Sequence, residues 1–423
     1  MLPLSTQAFL ASVFFIYALF PLIPSLSYNF HNGQRITQIF LLTLLSIYLL
    51  RKNTLYLPRK EITYSVAILL FISFISSSIS NFPLSSLLNT LHYGLLAFIT
   101  LLFINSDRDI KLLFIVIFIM HTCLIVICTL NIIFIIFDNG FFHAHNIIMK
   151  FDNVRHFNHL QILILPLSFY ILKRTKLKTL VGATIVLNLL ILTMSSSLAA
   201  LVCYSLILIM YVTFKMYEYL KSALSLTIIS LFLFLILIAI EPESANPPAF
   251  LSDSGRIEMW LNSIPDFENI LFGIGSGNYQ IRLNSVVLSH PHNFVIQIFV
   301  EQGLISLITC FYFLFIITFV FLKNRHKKTT NQEKVAFITF VTAVIYSLFS
   351  GLIVMPITQI IFVLIFSQLI ECNETTKFNR KLKIIVATIT SIYFTLSMIS
   401  FYKLEPNTPK MAGPSFWSAG EKT

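Results

Sequence analysis

Apolar positions gather into long runs separated by short polar breaks. A membrane helix needs roughly 20 mostly apolar residues, because inside hydrocarbon the backbone must satisfy its own hydrogen bonds. Thirteen runs qualify, near 5–23, 36–50, 62–80, 84–104, 110–136, 157–172, 179–195, 197–214, 223–240, 293–322, 335–353, 357–371 and 384–402. Only Met194-Ser195-Ser196 and Met355-Pro356 interrupt the pairs 179–214 and 335–371, so each pair reads as a tight hairpin. The second, sixth and twelfth runs are short and the tenth is long enough to begin outside the bilayer, which makes the count 12 or 13. No basic segment precedes the first run and no small-residue cleavage site follows it, so it is expected to stay as an anchor. The pattern therefore predicts an all-α, polytopic integral membrane protein. It has a single membrane domain over 1–423, an external loop at 137–156, a large loop at 241–292 before the tenth span, and a short C-terminal tail at 404–423.

Composition agrees. The 423 residues are 57% hydrophobic and 11% charged, with mean hydropathy +0.84, where a soluble domain carries about 25% charge. The net charge of +11 is mostly a matter of topology. Loops 51–61, 105–111, 173–178, 215–221, 323–334 and 372–383 hold 21 of the 29 Lys and Arg. The remaining eight are Arg35, Lys150, Arg155, Arg256, Arg282, Lys403, Lys410 and Lys422. Positive-inside bias places the N-terminus and the six basic loops in the cytoplasm and the two longest loops outside. Six scattered basic loops do not form a nucleic-acid stripe, so nucleic acid is not an expected partner. The five cysteines have neither disulfide nor metal-ligand spacing.

Chemistry is expected in the external loops, since long loops in compact architectures usually carry function. His-x-His occurs twice, at His143/His145 and His290/His292. No cysteine or carboxylate stands at metal-ligand spacing beside either pair, so the reading is interfacial histidine, without metal or cofactor. The first loop runs through Arg155 and His156 into the sixth span, where Asn158 and Gln161 share a helical face. Polar groups entering a membrane helix are functional candidates or a helix-capping, interfacial cluster, and the sequence leaves both readings open. In the second loop, Asp253 or Ser254 would cap a short helix over 256–264 that presents Arg256 in its first turn and ends before Pro265. Trp260 suits a wet apolar interface. Gly273, Gly275 and Gly277 predict a tight turn with left-handed residues rather than a phosphate cradle, because no strand-helix pattern surrounds them. His290-Pro291-His292-Asn293 stands where the tenth helix begins, and the positive helix end favours the neutral, basic form of His292. Glu301 falls on roughly the opposite face from His292, too far round for a direct ion pair.

Together, Gly255-Arg256 with Trp260, the run Phe272 to Tyr279, and His290-Pro291-His292-Asn293 with Glu301 and Gly303-Leu304 resemble the signature region of the O-antigen ligase and polymerase superfamily. The ligase pattern, His-Asn and then Gly-x-x-small, is similar to His292, Asn293, Gly303 and Ser306. The resemblance is close over 255–306 and elsewhere rests on the many spans. It implies a GT-C type inner-membrane glycosyltransferase that moves a glycan from undecaprenyl diphosphate to an acceptor hydroxyl at the periplasmic face, without a metal. The implied acceptor is lipid A-core for a ligase, a growing chain for a polymerase, or a Ser or Thr of a protein for an oligosaccharyltransferase. The short C-terminal tail favours ligase over the protein-glycosylating branch. By the resemblance, Arg256 holds the diphosphate and His292 activates the acceptor, with Asn293 beside it. Ligases carry an Arg in a Thr-x-Ser-Arg stretch that here reads Thr193-Met194-Ser195-Ser196-Ser197, so either Arg155 or Arg282 would substitute or the diphosphate would be held differently. Arg155 is preferred because Asn158 and Gln161 can bond the same ligand. A transporter or flippase is the reading from another class. It fits less well, because ionisable residues are expected outside rather than at mid-span, apart from His92 and His121.

Overall fold

The computed structural model describes residues 13, 17, 30–105, 111–138, 147–148, 151, 153–240, 256–264, 269–283, 286–324, 329–403 and 416–417. Val13 and Tyr17 are helical; the rest of the expected first span lies outside the described residues. The others follow as α1 (Phe30–Leu49), α2 (Lys60–Ser78), α3 (Pro83–Ile104), α4 (Lys111–Phe137), α5 (Val154–Arg174), α6 (Lys178–Met194), α7 (Leu198–Thr213), α8 (Tyr217–Ile240), α10 (Phe294–Asn324), α11 (Asn331–Tyr346), α12 (Pro356–Ser367) and α13 (Arg380–Tyr402), with a short α9 (Arg256–Leu261) in the second loop. Six of these, α2, α3, α4, α8, α10 and α13, are long and apolar enough to cross a membrane, and α6, α7 and α12 are shorter apolar helices. The protein is an all-α polytopic membrane protein. Rows of exposed apolar side chains such as Ile228, Phe232 and Leu235 on α8 and Phe315 on α10 are what a lipid-facing surface requires.

Two compact units make up the chain, each from segments distant in sequence. The first contains α4 to α8 and α11, and its centre is α5, buried from Phe157 to Leu172 around an internal Pro166. The second contains α1 to α3, α9, α10, α12 and α13, and its centre is α12, buried at all but one position. The last of the chain's passages from one unit to the other falls between Leu352 and Ile353. There the expected tight hairpin is a longer break: α11 stops at Tyr346, seven residues early, because Ser347 caps it and Gly351 follows in a run of turns before Pro356 starts α12. The hairpin at Met194-Ser195-Ser196 is as tight as expected, with Ser196 turning at φ 52°.

Two small sheets lie outside the sequence expectation. β1 (Thr54–Pro58) pairs antiparallel with β4 (Cys372–Lys377), with Tyr56 opposite Thr375, and β2 (Ile281–Leu283) pairs with β3 (Val286–Leu288). Strands of three to six residues between membrane helices carry too little pattern to stand out in the chain. The β1–β4 ladder joins basic loops 51–61 and 372–383, and Lys173 pairs with Glu218 at 3.7 Å across loops 173–178 and 215–221. Within each unit, loops expected on one side of the membrane therefore meet.

A candidate site on the glycine loop and the broken helix

α10 begins at Phe294 because Asn293 caps it: its side-chain oxygen accepts from the N–H groups of Val295 (2.9 Å) and Ile296 (3.2 Å). That leaves only the Asn293 amide nitrogen to offer a ligand. His292 precedes the cap in a left-handed conformation, φ 54°, which costs a non-glycine residue about 1–3 kcal/mol and persists only where neighbours impose it. Two contacts do so. The His292 N–H donates to His290 Nδ1 at 2.6 Å, and the Trp260 indole N–H donates to the Pro291 carbonyl at 2.8 Å. His290 is buried and His292 half-buried, with ring centroids 5.3 Å apart.

Trp260 belongs to α9, whose first residue is the half-buried Arg256. The helix ends at Leu261, earlier than the expected 264. Ser263 Oγ reaches back to the Met259 carbonyl and to the Tyr279 hydroxyl (2.6 Å), which pulls the chain out of helical register. The expected caps Asp253 and Ser254, and Pro265, lie outside the described residues. Burial holds the Tyr279 hydroxyl above its ordinary pKa, Ser263 lowers it, and the Glu301 charge raises it, so it remains a neutral partner. α9 is thus fastened at both sides, to the His292 turn through Trp260 and to the glycine loop through Ser263.

The glycine run is a left-handed turn, as expected, with φ of 71°, 104° and 74° at Gly273, Gly275 and Gly277. Its partner is the helix. α10 breaks at Gly303 (φ 78°, ψ −179°), where a Cβ would stand 2.2 Å from the Leu271 carbonyl oxygen. The backbone groups freed by the break are taken by the loop: Ile274 N–H donates to Val300 O, Gly275 N–H to Glu301 O, and Leu304 N–H to Ile270 O. Ser76 of α2 also donates to Glu301 O at 2.7 Å. Where a phosphate cradle would leave amides for a ligand, Gly277 N–H donates to Glu301 Oε2 (2.8 Å) and Tyr279 N–H to Oε1 (3.4 Å). The loop holds a carboxylate of the protein itself.

The same unit contains a cluster that sequence reasoning missed. Arg35 was expected in an external loop, yet it is 2% exposed inside α1, which starts six residues earlier than the expected span. The signal was the span itself: 36–50 is too short to cross, and extending it backwards brings the guanidinium inside. Arg35 Nη1 donates to Gln38 Oε1 (2.6 Å) and Gln359 Oε1 (2.8 Å) and lies 3.0 Å from His92 Nε2. Nη2 and Nε donate to the carbonyls of Val354 and Phe416, and the Phe416 ring lies under the cation at 5.0 Å. His92 Nδ1 lies 2.8 Å from the Tyr393 hydroxyl. A small cavity is lined by this cluster and by Glu301.

Arg282 sits in β2 opposite Val287. Arg155, Asn158 and Gln161 are on α5 in the other unit. Arg155 is half-buried in the first turn, its N–H donating to the Asn153 cap at 2.9 Å. Asn158 and Gln161 are fully buried, and both amide nitrogens are engaged by α6 and the turn after it: Asn158 with Ser195 Oγ (3.0 Å), Gln161 with the Asn188 side chain (2.8 Å). Among the described residues no three His, Cys, Asp or Glu gather as metal ligands; His143 and His145 lie outside them.

A family model described as O-antigen ligase matches residues 181–311, from α6 to the first turns past the break in α10. No curated protein matches the chain. The match supports an O-antigen ligase or polymerase type of activity, with a lipid-linked glycan and an acceptor as partners, in a multi-pass membrane protein.

Proposed function

We propose, from the premise that residues 181–311 are an O-antigen ligase segment, that the protein transfers a glycan from undecaprenyl diphosphate to an acceptor hydroxyl at the periplasmic face of the bacterial inner membrane. The acceptor is lipid A-core. The observation that carries this reading is the Trp260–Pro291 bond, which ties the Arg256 helix to the strained His292 turn within one unit. A general base and a permanent cation joined in this way suit the two requirements of the reaction.

Diphosphate is already a stable leaving group, so the protein needs only to neutralise its charge and to deprotonate an alcohol. Neutral His292 takes the acceptor proton as the acceptor oxygen attacks the anomeric carbon. The bond to the diphosphate oxygen breaks with its electron pair, and Arg256 receives the developing charge through its planar fork. One in-line displacement inverts the anomeric centre. No metal enters this scheme. Asn293 stands beside the base, and Arg282 and Arg155 are assigned to donor binding; Asn158 and Gln161, expected beside Arg155, are bonded to Ser195 and Asn188 and brace the helix instead.

The test is deletion of the gene in its host, with lipopolysaccharide examined on gels after complementation by wild type, His292→Ala or Arg256→Ala. Loss of the capped ladder with lipid-linked glycan accumulating, restored by wild type alone, is the expected result. An unchanged ladder with an unglycosylated secreted protein would move the acceptor to protein, and short chains on a capped core would move it to polymerisation. Full complementation by both variants would overturn the mechanism.

A further inference from the structure

The Arg35 cavity is not used by the mechanism above. Its walls carry opposite charges, since Arg35 and Glu301 both line it, together with Tyr93, Ser289 and Gln297. Gln297 donates its amide nitrogen to Glu301 Oε1 at 3.4 Å, while its Oε1 is buried and accepts no hydrogen bond among the described residues. A buried carbonyl oxygen without a donor is costly, so this wall asks for an O–H or N–H from elsewhere. The room is that of a hydroxyl or a water rather than of a phosphate group. An anion entering would gain from Arg35 and be repelled by Glu301; a cation would meet the reverse. A neutral hydroxyl, which donates and accepts at once, suits both walls.

We propose that this cavity is a hydroxyl-recognising subsite that takes the edge of a sugar ring, the ring hydroxyl donating to Gln297 Oε1 and accepting from the Tyr93 hydroxyl. That the sugar belongs to the transferred glycan or its acceptor rests on the transferase reading; the preference of the cavity for a neutral hydroxyl does not.

The experiment is saturation-transfer NMR on the full chain in nanodiscs, with methyl galactoside and methyl N-acetylglucosaminide as probes and inorganic pyrophosphate as competitor. Transfer to the ring protons of at least one glycoside is expected, weakened about fivefold in Gln297→Leu, as for one lost hydrogen bond, and undiminished by pyrophosphate. If Gln297→Leu does not reconstitute, Tyr93→Phe should show the same loss. No transfer to either sugar, equal transfer in the variant, or displacement by pyrophosphate would each overturn the subsite and leave a cavity that holds water or an anion. The assay contains neither donor nor acceptor, so failure of the transferase reading would leave its result standing.

Discussion

The indole N–H of Trp260 donates to the carbonyl oxygen of Pro291 at 2.8 Å, and this one bond spans 31 positions of chain to join α9 to the turn before α10. Trp260→Phe keeps the ring and removes the donor. Glycan transfer should fall about tenfold in kcat with little change in KM, because the variant loosens the positioning of His292 rather than substrate contact. Steady-state kinetics on reconstituted protein checks this, and an unchanged kcat would mean that the turn is held without the bond.

Arg35 should matter to stability more than its single charge suggests. Arg35→Ala leaves the Gln38 and Gln359 oxygens and the carbonyls of Val354 and Phe416 without their cation, at a cost of about 3 kcal/mol. Thermal unfolding in detergent should show a clear loss of stability, and an unaltered transition would remove Arg35 from the framework.

Gly303→Ala should be equally severe for a different reason. The added Cβ would lie 2.2 Å from Leu271 O in a backbone conformation that side chains rarely adopt, a cost of about 1–3 kcal/mol before any shift of the glycine loop. Limited proteolysis should cut the 269–283 region faster than in wild type, whereas Gly94→Ala, whose nearest neighbour is Leu70 Cδ2 at 3.8 Å, should leave the pattern unchanged.

Arg155 and its neighbours separate by the same logic. Arg155→Ala should weaken binding of the diphosphate donor about ten- to hundredfold, as for a lost charge-assisted contact, with the fold intact. Asn158→Ala and Gln161→Ala should cost stability first, since their amides are bonded to Ser195 and Asn188. Equal donor affinity in Arg155→Ala would strike it from the site.

Transfer should proceed undiminished in the presence of EDTA, since a proton acceptor and a cationic fork meet the needs of the reaction. Loss of activity on chelation, restored by a divalent cation, would overturn the metal-free scheme.

Much of this was legible in the chain. Apolar runs placed α2, α3, α4, α6 to α8, α10 and α13 to within a few residues at most boundaries, because membrane helices answer to a local requirement: length and composition against a fixed thickness of hydrocarbon. The left-handed glycine turn and the helix start after Pro291 were legible for a similar reason, each being a property of a few consecutive residues. Where the local signal was weak, the boundaries slipped. α1 reaches back to Phe30 through a polar run that hydropathy reads as loop, and α11 stops short at Ser347 within a stretch that hydropathy reads as span.

What tertiary structure alone decided are the partners. Arg35 finds His92, Gln359 and Phe416 at separations of 57, 324 and 381 residues, and no pattern in a single chain announces such meetings. Glu301, expected only to lie on the face away from His292, accepts from the Gly277 and Tyr279 amides of the glycine loop. Trp260, read as an interfacial anchor, is a strut between α9 and the His292 turn. By itself the sequence determined the solvent and most of the helices, since these follow from transfer free energy summed along the chain. Which polar side chains neutralise one another, and so which remain to meet a substrate, is a question of proximity in space, and only packing answers it.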